Sequence, residues 1–344
     1  MRSKPYYPKK SAATSILLLL ALLAAPAMAY GQADAGRQVG ENTGKKTGRL
    51  DLENGFQRYF FYTRYQIGGM TYSRNGALPY HLPISELRFP IEVFMFYANL
   101  NLTFIDRITI HFNVRKNIHN RAGIMKDTDW VPFPGVKTIY SESTARLNAI
   151  FTEADLSVRL FTVSFFSFVL GAGFSHQYFY YWCSDTTQTS IYSSAPPYIG
   201  PPSYIRIPCK VITYDLRYYM ATIQVTPVFT FKEGFEIALA IRFSPYLRTR
   251  DIDDHILRGK KSAGNSTGSA FMPFLRIRYL FPCRVFLAAQ LDYLMLNTKG
   301  TQTQSYYLPV PEANGIPGWY ARTETRLKSE QLSVGLGAGC SFEF

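Results

Sequence analysis

The chain has 344 residues, 47% of them hydrophobic and 16% aromatic, with a formal charge of +13. Such an excess of Lys and Arg ordinarily points to nucleic acid, but the chain opens on an export signal, and an exported protein does not meet nucleic acid routinely. The polyanion it would meet instead is a phosphorylated lipid surface outside the cytoplasm.

Residues 1–29 read as a signal peptide: Arg2, Lys4, Lys9 and Lys10 are a basic start, Ile16 to Leu23 an apolar core, and Ala27-Met28-Ala29 a small-x-small cleavage site. The apolar run is too short to span a bilayer as a helix. Loss of those four basic residues, with no acid among them, lowers the charge from +13 to +9. Residues 30–56 are polar, lack a strand period and are expected to be a flexible N-terminal segment. Beyond the leader no stretch is long and apolar enough for a transmembrane helix.

From residue 57 to 344 the hydrophobic pattern has period two. Ile108, Ile110, Phe112 and Val114 alternate with polar residues, as do Leu156, Val158 and Leu160 around Ser157 and Arg159. Phe235 to Phe243, Leu275 to Tyr279 and Leu332 to Phe344 repeat the pattern, and the last ends on an aromatic. One greasy and one polar face per strand, without transmembrane helices, is the signature of a membrane β-barrel. Turn signals divide the chain into ten strands, near 57–73, 84–104, 106–117, 140–161, 163–182, 208–231, 235–250, 268–281, 284–298 and 330–344. Tight joints at Asp106, Thr162, 232–234 and Pro282-Cys283 alternate with long connections at 74–83, 118–139, 183–207, 251–267 and 299–329. The expectation is therefore an all-β, ten-stranded antiparallel transmembrane barrel with long extracellular loops. Glu153, Asp155, Arg242, Arg276 and Arg278 fall on the inner face. Buried charge persists only when paired, so they imply a filled lumen and disfavour a channel.

Two acidic clusters stand out. Asp127-Thr-Asp129-Trp130 falls in the second long connection and Asp251-Ile-Asp253-Asp254-His255 opens the fourth, both on the extracellular rim. In an extended segment Asp-x-Asp puts both carboxylates on one face. Asp253 and His255 share that spacing, so a carboxylate can fix the imidazole tautomer while the other ring nitrogen takes a proton from water. An acidic run can equally be a solvated surface or, through hard carboxylate oxygens, a Ca²⁺ site. No Gly-x-Ser-x-Gly elbow, His-Glu-x-x-His pair or phosphate-cradling glycine loop is present.

These two motifs, in this order and on these connections of a ten-stranded barrel, resemble the omptin family of outer-membrane proteases. Further agreement lies in Glu153-Ala-Asp-Leu156, Leu170-Gly-Ala-Gly, Tyr214 to Arg217 and Lys299-Gly300. The resemblance implies an aspartic-type endopeptidase in which Asp253 and His255 form a base couple and Asp127 and Asp129 a facing pair, with an attacking water between them and no acyl intermediate. It implies polypeptide substrates cut at basic residues, with Asp251 and, by loose assignment, Glu142 in the substrate pocket. It also implies a requirement for lipopolysaccharide, which Arg217 would hold on the outer wall; no metal or other cofactor is implied. The chain departs from the pattern where the family places a second pocket acid on the first strand: Tyr72, Ser73 and Arg74 stand there. Single-basic and dibasic specificity both stay open. Phe174, His176 and Tyr178 likewise replace part of the lipid cluster.

Cys183 and Cys209 flank the third long connection where its strands should pair, the expected place for a disulfide in an oxidising envelope. The competing functional reading is a non-catalytic surface barrel, an adhesin or host-factor binder.

Overall fold

The computed structural model describes residues 48–73, 76–130, 135–192, 199–231, 234–309 and 317–344. The expected signal peptide lies outside them. The strands are β1 (Gly48–Ser73), β2 (Gly76–Pro79), β3 (Ser85–Pro90), β4 (Phe94–Phe104), β5 (Ile108–Asn117), β6 (Arg121–Asp129), β7 (Ile139–Val163), β8 (Phe166–Tyr192), β9 (Ile199–Ile207), β10 (Ile212–Thr230), β11 (Phe235–His255), β12 (Lys260–Leu280), β13 (Val285–Tyr306) and β14 (Gly318–Glu343). All pairings are antiparallel, and ten strands close on themselves in the order β1, β4, β5, β7, β8, β10, β11, β12, β13, β14 and back to β1. The first strand begins at Gly48, so 48–56 belong to the wall and not to the loose N-terminal segment expected of 30–56.

Side-chain parity follows the sequence. Leu336 is 68% exposed and Ser333 1%, and Phe112, Leu156, Ile223 and Ile241 also face outward, as a hydrocarbon-facing surface requires. The tight turns between β4 and β5, β7 and β8, and β12 and β13 place Ile105 and Asp106, Ser164 and Arg284 at positive φ, each a brief left-handed step that reverses the chain.

The lumen is filled in two ways. Glu153 accepts from Arg115 Nη2 (3.2 Å) and Arg242 Nη1 (3.1 Å), Asp155 joins Arg242 (3.5 Å) and His111 Nδ1 (3.1 Å), and Arg276 and Arg278 pair with Glu53 and Asp51. This is the charge network expected from the inward parity. The other filling is aromatic: Phe89 stacks on Tyr214 with centroids 4.4 Å apart and touches Tyr181 (5.1 Å), while Tyr65 lies against Tyr214 (5.6 Å), all fully buried. Tyr65, Tyr181 and Tyr214 thus floor the mouth on the side of the long connections with a packed plug.

Strands of 25, 27 and 26 residues in β7, β8 and β14 far exceed the roughly 9–11 residues that cross a bilayer. The wall therefore rises well beyond the membrane on the side of the long connections. The expected strand 84–104 breaks at 91–93 into β3 and β4, where Ile91 N–H donates to Phe61 O (2.8 Å) and Tyr59 N–H to Val93 O (2.8 Å). The expected loop 118–139 contains β6, which slots between β3 and β7. Above the break β3 and β6 take the wall positions that β4 and β5 hold below it.

Candidate active site

The two acidic motifs sit on strands rather than on loops. β11 continues without interruption through Asp251, Asp253 and His255, paired to β10 at Leu216, Tyr214 and Ile212 and to β12 at Gly264, Ser262 and Lys260. Period two then carries all three side chains to the inner face. The strand ends in one 3-10 turn, Ile256–Arg258, and Gly259 closes it in the left-handed region (φ 55°). Asp127 and Asp129 likewise share the inner face of β6, opposite Leu87 on β3 and Ser141 on β7.

Around the ring β6 and β11 are separated by β7, β8 and β10 on one side and by five strands on the other, so their inner faces oppose each other across the mouth. His255 Nε2 lies 2.9 Å from Asp253 Oδ2, and Asp253 is 1% exposed. Burial holds the Asp127 carboxyl well above the usual range, and the charges of Asp129 and Asp253 push it further; Arg258 and Lys260 oppose that shift. The same field reaches Cys183, whose thiol is pushed up by burial and then by Asp253 and Asp127. Cys183 therefore lies near both acidic groups. Asp127 Oδ1 and Asp253 Oδ1 are buried and accept no hydrogen bond from the described residues, which leaves an unsatisfied oxygen on each side of the mouth.

Asp251 sits beside this group, 4% exposed. Its carboxylate occupies the space over Gly264, where a Cβ would lie 2.3 Å from Oδ1. The Tyr65 hydroxyl reaches both the Asp251 carboxylate and Gln302 Oε1, 2.5 Å away. Burial raises the Asp251 pKa to about 7, the Asp253 charge adds to the rise, and Tyr65 opposes it. Lys260, across the ladder from His255, is pushed down by burial and by Arg258 and drawn back up by Asp253, Asp129 and Asp127.

Glu142 does not join the site. It stands opposite Lys126, one residue out of phase with Asp127, so parity turns it to the outer face, where it pairs with Lys126 at 3.5 Å and accepts from Tyr140 Oη at 2.6 Å. Cys183 and Cys209 are free thiols, the first fully buried and the second exposed, which corrects the expected disulfide. Arg217 is on the outer wall as expected, but it carries a local counter-charge: Asp215 is 3.1 Å away, and the guanidinium lies 5.2 Å over the Tyr178 ring. Sequence reasoning missed Tyr65, Gln302 and Lys260, and took Cys183 only as half of a disulfide. Tyr65 sat in an expected strand with no chemical signal, and Gln302 and Lys260 sat in expected loops where parity has no meaning.

A model of the omptin family matches residues 81–313, which contain both acidic motifs. The chain belongs to the omptin family. Membership makes it a protease of the outer membrane. No curated protein sequence matches this omptin. Among solved structures, the outer membrane protease OmpT from Escherichia coli aligns with a TM-score of 0.69 at 16% identity, over 86% of this chain and 97% of that one, a likeness of fold. The translocator domain of the autotransporter NalP from Neisseria meningitidis covers 96% of this chain and 98% of its own, but its TM-score of 0.34 at 9% identity is too low to bear on the fold.

Proposed function

We propose that this omptin is an endopeptidase that cuts polypeptides at basic residues, using a water held between the Asp253–His255 couple and the Asp127–Asp129 pair. One observation carries the reading: Asp127 and Asp253, 126 positions apart in the sequence, lie within each other's electrostatic reach on opposing walls, with His255 hydrogen-bonded to Asp253. Asp253 engages Nε2 of His255, so Nδ1 is the nitrogen free to take a proton from water. The water attacks the scissile carbonyl, His255 takes its proton and returns one to the leaving amine, and no acyl-enzyme forms. Burial and like charge favour the protonated form of Asp127, which in that form can donate a hydrogen bond to the carbonyl oxygen as negative charge develops there.

Asp251 is the acid for the substrate's basic side chain. A buried carboxylate with Gln302 Oε1 beside it offers charge-assisted acceptors to a guanidinium or ammonium. With one acid in that pocket, the reading favours recognition of a single basic residue. On the outer wall, Arg217 pairs in register with Arg250, and Tyr219 with Arg248, above the apolar belt. This basic cluster suits the phosphates of lipopolysaccharide, the lipid on which activity would depend.

The test uses refolded protein with lipopolysaccharide and peptides containing Arg-Arg, Lys-Arg or a single Arg. Cleavage that disappears in Asp127→Ala and in His255→Ala and survives a chelator is expected. Undiminished cleavage in both variants, or loss on chelation, overturns the mechanism.

A further inference from the structure

We propose that the open edge of β9 is a docking strand for the substrate polypeptide, pairing antiparallel with the segment on the carboxyl side of the scissile bond. The proposal rests on the peptidase reading above and extends it to the conformation and length of the substrate.

β8 has β7 along one edge. Its other edge is shared in sequence by β10, up to the rung Cys183–Ile212, and then by β9, from Thr186–Ile207 to Tyr192–Ile199. β10 in turn passes to β11 through the rung Ile212–His255, and Ile256 N–H donates to Val211 O (3.0 Å) as the last bond between those two walls. Beyond it, among the described residues, β9 pairs with β8 alone. Its second edge therefore opens over the end of β11. Ile207 is three residues along β8 from the rung that holds His255, a rise of about 10 Å.

An exposed edge strand is a template for another chain unless proline, charge or a bulge blunts it. Pro201 and Pro202 blunt the outer half of β9 by lacking the N–H needed for pairing, and the inner half carries one charge, Arg206. The half nearer the cleft, Ser203 to Ile207, has every donor, and Tyr204 (71% exposed) and Ile205 (51%) stand free on it. Its register with β8 is unbroken from Thr186–Ile207 to Ser190–Ser203, so every second N–H and C=O points away from β8. An extended peptide satisfies those groups without a defined side-chain sequence, which suits an enzyme that reads side chains only beside the scissile bond.

The direction of pairing follows from the chain. β9 runs from Ile199 down to Ile207, toward the cleft. An antiparallel partner runs away from the cleft, so its residues lie after the bond being cut. Parallel pairing is the weaker geometry.

The experiment compares peptides with one central Arg that carry either two or nine residues after it, with a matched series extended before it. Extension on the carboxyl side should lower KM by about tenfold or more, the worth of two or three backbone hydrogen bonds, with kcat nearly unchanged. N-methylation of alternate amides in the added segment should abolish the gain in one phase and spare it in the other. In His255→Ala, which holds the long peptide uncut, amide exchange should slow at alternate residues of Ser203–Ile207. A KM that ignores length, responds only to extension before the Arg, or ignores methylation in both phases overturns docking while leaving cleavage intact. Absence of cleavage in every peptide would instead indict the peptidase reading.

Discussion

Asp251→Asn separates charge from shape in the proposed substrate pocket. The wild-type carboxyl is buried and titrates near 7, so it is ionised above neutrality and largely protonated below. Only the ionised form gains a charge-assisted hydrogen bond to an arginine side chain, worth about 1.5–3 kcal/mol or about 10- to 150-fold in kcat/KM. The ratio of kcat/KM for an Arg peptide over its neutral citrulline isostere should therefore rise as pH climbs through about 7 in the wild type and stay low and flat in Asp251→Asn. The stability effect has a defined sign. An acid whose pKa is raised by folding binds its proton more tightly in the folded state; its contribution is complete below the unfolded value and is lost as pH rises through about 7. Asp251→Asn should leave stability near pH 4 almost unchanged and raise it above neutrality, by on the order of 4 kcal/mol. Both readouts are needed: paired peptide kinetics across pH, and urea unfolding in lipid at acid and alkaline pH. An arginine-over-citrulline ratio that is constant across neutrality in the wild type, or that survives in Asp251→Asn, would refute the assignment.

Other substitutions test other parts of the structure. Glu142→Gln should change kcat/KM by no more than about twofold, as expected of an outer-face residue paired with Lys126; a large loss would restore it to the pocket. Glu153→Gln leaves Arg115 and Arg242 facing each other without their shared carboxylate and should cost about 3–5 kcal/mol in unfolding titrations. Cys209→Ser should unfold at the same denaturant concentration as the wild type in the absence of reductant, because Cys183 and Cys209 are both free thiols; a drop would reveal a bond between them.

The membrane-crossing half of the fold was legible because lipid imposes a rule on each residue. Every strand there must put one face into hydrocarbon, so alternation survives in Ile108 to Val114 and in Leu332 to Phe342 without help from distant residues. Above the membrane that rule lapses. β6 carries Asp127 and Asp129 but reads as loop, because a register shift between Arg121 and Gly123 breaks its period. The pattern of β11 is legible up to Arg250, and its extension to His255 is hidden because the inward residues there, Asp251, Asp253 and His255, are polar and give no apolar alternation.

The sequence by itself determined that the chain would close as a barrel and that Asp253 and His255, two residues apart, would share one face, since strand geometry is local. Which residues meet was settled by ring closure and register. Only those brought Asp127 within reach of Asp253, set Tyr65 and Gln302 beside Asp251, and turned Glu142 outward by a single step of phase. Long-range pairing decides such meetings because a shift of one residue moves every side chain of a strand to the opposite face.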